Sequence, residues 1–81
     1  MPTKWIDQIR NGKIHSSELR LELFRIVVHH WSGGDAKDWY LTTVPGMAEP
    51  TRLAAVSIEE AKLEAAGMIR DRIEKTLDQL P

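Results

Sequence analysis

The chain has 81 residues, room for one small α+β or similar domain and no second core. Its hydrophobic fraction of 42% and charged fraction of 28% are those of a folding chain, and the absence of cysteine excludes disulfides, thiolate zinc sites and a cysteine nucleophile. Eleven Lys and Arg against twelve Asp and Glu leave a net charge of −1, so no overall field draws the chain to phosphate backbones or anionic lipid.

Met1-Pro2-Thr3-Lys4-Trp5 lacks the apolar core of a signal peptide, and no apolar run approaches the roughly 20 residues of a membrane span. The cytoplasm is the expected compartment, with no membrane partner. The first 13 residues are read as a brief helix through Trp5, Ile6 and Ile9, ended by Asn11-Gly12. From residue 19 to 28 the pattern changes to that of a strand: Leu19, Leu21 and Leu23 alternate with Arg20 and Glu22, and Ile26, Val27 and Val28 follow. The apolar phase slips within this segment, because Phe24, Ile26 and Val28 occupy even positions and the leucines odd ones. Either a bulge at residue 23 or 24 or burial on both faces accounts for the slip.

Ser32-Gly33-Gly34-Asp35-Ala36-Lys37-Asp38 carries turn chemistry, and Trp39 to Val44 resumes a strand, giving an antiparallel hairpin. Pro45-Gly46 and Pro50 bracket a second loop, and Thr51 to Val56 forms a short third strand. Ser57 with Glu60 marks a helix start by capping box, and Val56 with Ala61 is placed for a hydrophobic staple. Beyond it Ile58, Ala61, Ala65, Ile69, Ile73, Leu77 and Leu80 recur at three- and four-residue steps, predicting a helix to Leu80. Gly67 inside that helix suggests a close backbone approach. The expected architecture is a three-stranded antiparallel meander packed on one long C-terminal helix. One helix covers one sheet face, so the apolar residues of both parities imply that the other face is hidden by the N-terminal segment, a second subunit or a foreign protein.

Catalytic chemistry finds little support. Ser16, Ser17 and Ser32 lack a nucleophile-elbow setting, and Gly33-Gly34 lacks the rest of a phosphate loop. His29 and His30 point to opposite faces of a strand, so a metal shared with Asp35 or Asp38 is disfavoured. No enzyme activity, metal or cofactor is expected. The aromatic cluster is more informative: pairing across the hairpin would bring Trp31 and Trp39 together, either as a register-fixing pair or, with Tyr40 and Phe24, as the anchors of a protein interface. Arg20, Arg25, Lys13 and Arg10, with Arg52 added from the third strand, are the candidate nucleic-acid surface, diluted by Glu18 and Glu22, with Arg20 and Arg25 on opposite parity unless a bulge intervenes.

Tyr40-Leu-Thr-Thr-Val-Pro-Gly46, with Ser57-Ile-Glu-Glu-Ala61 and the helix to Leu80, resembles the N-terminal domain of HicB-like antitoxins over residues 40 to 80. The resemblance implies a sheet-and-helix module that binds and blocks another protein, a toxin or a host enzyme. The residues for such binding are Phe24, Trp31, Trp39 and Tyr40, in a chain expected to form a homodimer. The competing expectation is a small nucleic-acid-binding domain using Arg20, Arg25 and Arg52.

Overall fold

The computed structural model describes residues 4–31, 37–46 and 49–81. Five strands, β1 (Ile6–Arg10), β2 (Lys13–Arg20), β3 (Arg25–His29), β4 (Tyr40–Val44) and β5 (Thr51–Arg52), form one antiparallel sheet in the order of the chain. Among the described residues one helix, α1 (Ile58–Gln79), follows. The α+β meander-plus-helix architecture is thus present, with five strands rather than three.

The N-terminal helix is replaced by β1. Asn11 and Gly12 have φ of 53° and 75°, the two left-handed residues of a two-residue hairpin turn, so they join β1 to β2 and do not end a helix. The segment expected to be one strand from 19 to 28 is two strands. Leu21 N–H donates to the Phe24 carbonyl at 2.9 Å, and the chain reverses through Glu22 and Leu23. This tight turn explains the phase slip that a bulge or two-sided burial was expected to explain. The odd-numbered Leu19 and the even-numbered Ile26 are directly paired and share one face. The third strand is shorter than expected, two residues in place of six. The turn chemistry expected at residues 32–36 lies outside the described residues.

The core lies between α1 and that face. Ile26, Val28 and Leu41 from adjacent strands, with Trp39 and Leu53, meet Ala61, Ala65 and Ile69 of the helix. Leu19, Leu21 and Phe24 pack against the margin of this cluster. Nearly all the apolar side chains that seemed to demand two covered faces therefore converge on one. Two escape: Leu23, 85% exposed at the turn, and Val27, which alternation places on the opposite face between Ile26 and Val28.

Helix α1 starts as expected: Ser57 Oγ accepts from Glu60 N–H at 3.2 Å. Glu60 reaches back to Val56 N–H at 3.4 Å, one residue before the usual capping-box donor. The staple does not form, because Val56 is 82% exposed. Glu64 holds the approach to the helix instead, its two carboxylate oxygens accepting from the N–H groups of Ala54 and Ala55 at 2.9 Å each. At about 1.5 Å per residue, the 22 residues of α1 run roughly 33 Å and outreach the five-residue strands beneath them. From Arg70 onward every residue is exposed, including Ile73, Leu77 and Leu80 of the predicted stripe. Among the described residues no helix is long and apolar enough to cross a membrane.

Candidate interaction surface on the uncovered sheet face

Strand alternation and register determine what the second face carries. One row across the strands reads Gln8, Ser16, His29, Tyr40 and Arg52. The next reads Ile6, Glu18, Val27 and Thr42, and a third reads Arg20, Arg25 and Val44. No second layer covers these side chains among the described elements. The face is a mixture of polar, aromatic and β-branched groups, not the oily surface that the segment 19–28 suggested.

Its centre is ordered by a few specific contacts. Carbonyl oxygens only accept, so His29 Nδ1–H donates to the His30 carbonyl at 2.7 Å, and its Nε2 accepts from the Thr42 hydroxyl at 2.7 Å. With both ring nitrogens engaged, His29 is a structural residue. Beside it Trp31 meets Tyr40 edge to face, with ring centroids 5.5 Å apart. Tyr40 is only 6% exposed although no described element forms a layer over it, while Trp31 is 39% exposed.

The three arginines all lie on this face, since the turn at 21–24 makes Arg20 and Arg25 direct cross-strand partners and Arg52 pairs with Tyr40. Simple parity along one strand had separated Arg20 from Arg25. Two like charges placed opposite one another repel, and here Glu18 sits between them. Its Oε1 accepts from Arg20 Nε at 3.0 Å and lies 3.5 Å from Arg25 Nη1. The hydrogen bond from Arg20, aided by the charge of both guanidiniums, holds the Glu18 carboxyl below the usual glutamate range. Arg52 Nε pairs with Asp38 Oδ2 at 3.2 Å.

The other two aromatic candidates belong elsewhere. The β3–β4 register continues to set His30 level with Trp39, so Trp39 stacks on the His30 ring at 4.0 Å, 7% exposed within the core. Trp31 and Trp39 therefore do not pair: they differ by one register step and occupy opposite faces. Phe24 is half-buried at the margin of the core, beside Pro45, Ile69 and Ile73.

A residue that sequence reasoning did not single out is Asp7. Its Oδ1 accepts from Ser17 Oγ at 2.6 Å and from Lys62 Nζ at 2.9 Å, tying β1, β2 and α1 together. The Ser17 hydroxyl first, then Lys62, holds its carboxyl below the ordinary aspartate value. Trp5 lies 5.9 Å from the Lys62 ammonium and flanks the same junction. Alternation of Trp5 and Asp7 would have flagged it, had the segment been read as a strand. Among the described residues no three His, Asp or Glu side chains group as metal ligands; Asp35 lies outside them.

No protein family, no curated protein and no solved structure matches the chain.

Proposed function

We propose that the protein is a non-enzymatic binding module that attaches to another protein through the uncovered sheet face. The observation that carries this reading is the Trp31–Tyr40 pair, set among three arginines on a face that no described element covers. Trp, Tyr and Arg are the side chains that supply most binding energy when a partner desolvates them. Each arginine already faces a carboxylate, Glu18 or Asp38, which dilutes the field a phosphate backbone would feel. A protein partner needs the aromatic platform and the oriented donors more than it needs net charge. The resemblance to HicB-like antitoxins supports a blocking role on a toxin or host enzyme. The outer strand β1, exposed along all five residues, supports self-association edge to edge.

The test is capture of the partner from the native host, followed by affinity measurement with the purified pair. Trp31→Ala should weaken binding by about thirtyfold or more, as loss of an interface anchor does. An unchanged affinity in a variant that melts like the parent overturns the reading.

The second reading, a nucleic-acid-binding domain, gains from one finding: Arg20, Arg25 and Arg52 share a face with two aromatic rings on which bases can stack. It requires binding to single-stranded DNA or RNA that falls steeply with salt and strengthens in Glu18→Gln. A flat salt series rejects it.

A further inference from the structure

The two ends of β2 are built from the same unfavourable unit, and only one is compensated. At one end Arg20 opposes Arg25, with Glu18 between them. At the other end Arg10 opposes Lys13 across the Asn11-Gly12 turn. Neither Arg10 nor Lys13 has a carboxylate partner among the described residues. Like charges directly opposite destabilise a strand pair. A hairpin that keeps such a pair without an acid leaves room for an anion from outside.

The surroundings have the same character. Arg10, Lys13, His15 and His30, with Asn11 and Ile14, line one recess of about 500 Å³ with no carboxylate among its described lining residues. His15 enters it through a bulge: Gln8 pairs with Ser16 and Ile9 with Ile14, leaving His15 as the extra residue of β2. Bulges of this kind re-aim a side chain. His15 makes no hydrogen bond among the described residues, and its ring centroid lies 6.5 Å from that of His30. The His30 ring is fixed from two sides, by its stack on Trp39 at 4.0 Å and by Nδ1–H donating to the Asp38 carbonyl at 2.8 Å. Two free imidazole edges alone suit a metal cation, but the adjacent guanidinium and ammonium repel one. The same four groups suit an anion that accepts several hydrogen bonds at once.

The geometry points to a phosphate-binding site at the β1–β2 turn, with Arg10 and Lys13 as the charged contacts and His15 and His30 as its inner wall. It is separate from the aromatic face and does not depend on the protein-binding reading. Inorganic pyrophosphate is the probe, followed by ¹⁵N–¹H NMR of the full chain at constant ionic strength. Saturable shifts should centre on Arg10, Asn11, Lys13, His15 and His30. Arg10→Gln should weaken binding about tenfold, the usual loss for one charge-assisted contact, while its melting temperature without ligand rises because the like-charge repulsion is removed. Lys75→Gln, on the exposed end of α1, should leave pyrophosphate binding unchanged. Displacement of pyrophosphate by a short single-stranded DNA assigns the phosphate to a polynucleotide backbone, and failure to displace it assigns the site to a small phosphorylated molecule. Shifts that sodium chloride reproduces, or that persist undiminished in Arg10→Gln, overturn the proposal.

Discussion

Trp39 and Tyr40 are consecutive residues, and both are almost fully buried, yet they are buried by different means. Trp39 lies beneath the helix, stacked on His30 and joined to the cluster of Ile26, Val28, Leu41 and Leu53. Tyr40 points the other way, where no described element forms a second layer; Trp31 meets it edge to face, and His29 and Arg52 flank it in the sheet register. Trp39 owes its burial to packing that the fold cannot give up. Tyr40 lies outside that cluster, among side chains of the opposite face. Low exposure therefore accompanies the shared core on one face and a surface aromatic pair on the other.

The sharpest way to break this contrast is to truncate one tryptophan at a time. Trp39→Ala removes a large ring from the core and should cost about 3–5 kcal/mol of unfolding free energy, much of what a domain of this size possesses. Trp31→Ala removes a ring that is 39% exposed on the face that no described element covers, and should cost less than about 1 kcal/mol in urea unfolding. Equal losses would mean that the aromatic face is part of the core after all, and the interface assignment would fall with the contrast.

What could be read from the sequence divides along similar lines. Helix α1 was legible because Ser57 and Glu60 supply a start and Ala61, Ala65 and Ile69 fall on one stripe that a sheet then buries. Strands β3 and β4 were legible through their β-branched and aromatic content. The turn at Leu21 to Phe24 was not, since Leu-Glu-Leu-Phe contains no Gly, Pro, Asn or Asp to announce it. Missing that turn merged two strands and separated Arg20 from Arg25. Asn11-Gly12 was visible, but the dipeptide serves a helix end as well as a hairpin, and only pairing with β2 decides between them. The Trp31–Trp39 pairing failed by a single register step, which in a sheet moves a side chain to the opposite face.

The helix offers a smaller comparison, between its alanines and its glycine. Ala61 and Ala65 are small because the sheet lies against them, both with no exposed surface. Gly67 was expected to mark a similar approach, but a Cβ built there meets nothing within 4 Å and the residue faces solvent. Nothing in the structure explains this glycine. Gly67→Ala should therefore stabilise the protein by about 1 kcal/mol, the ordinary helix-propensity gain, raising the urea midpoint without changing the slope. A loss of stability would reveal a contact on that side of α1.

The smallest expected effect sets β1 against the strands of the core. Strands β3 and β4 are fixed by the apolar cluster, whereas β1 is exposed throughout and meets the helix through Asp7 and Lys62, beside Trp5. A surface ion pair of this kind is worth less than about 1 kcal/mol, so Asp7→Asn should change global stability little. It should act locally, speeding hydrogen exchange of the β1 amides while those of Ile26 and Leu41 stay protected. Ser17 and Lys62 lower the proton affinity of Asp7 in the folded state, so its contribution is full from about pH 5 upward, where an unfolded aspartate is almost wholly ionised. It is lost as the pH falls further, through the depressed folded value. The exchange difference between parent and Asp7→Asn should accordingly be full near neutrality and shrink once the pH drops well below that point. A difference that persisted unchanged in acid would show that β1 is held by packing, and the division between a fixed core and a charge-tethered edge would have to be redrawn.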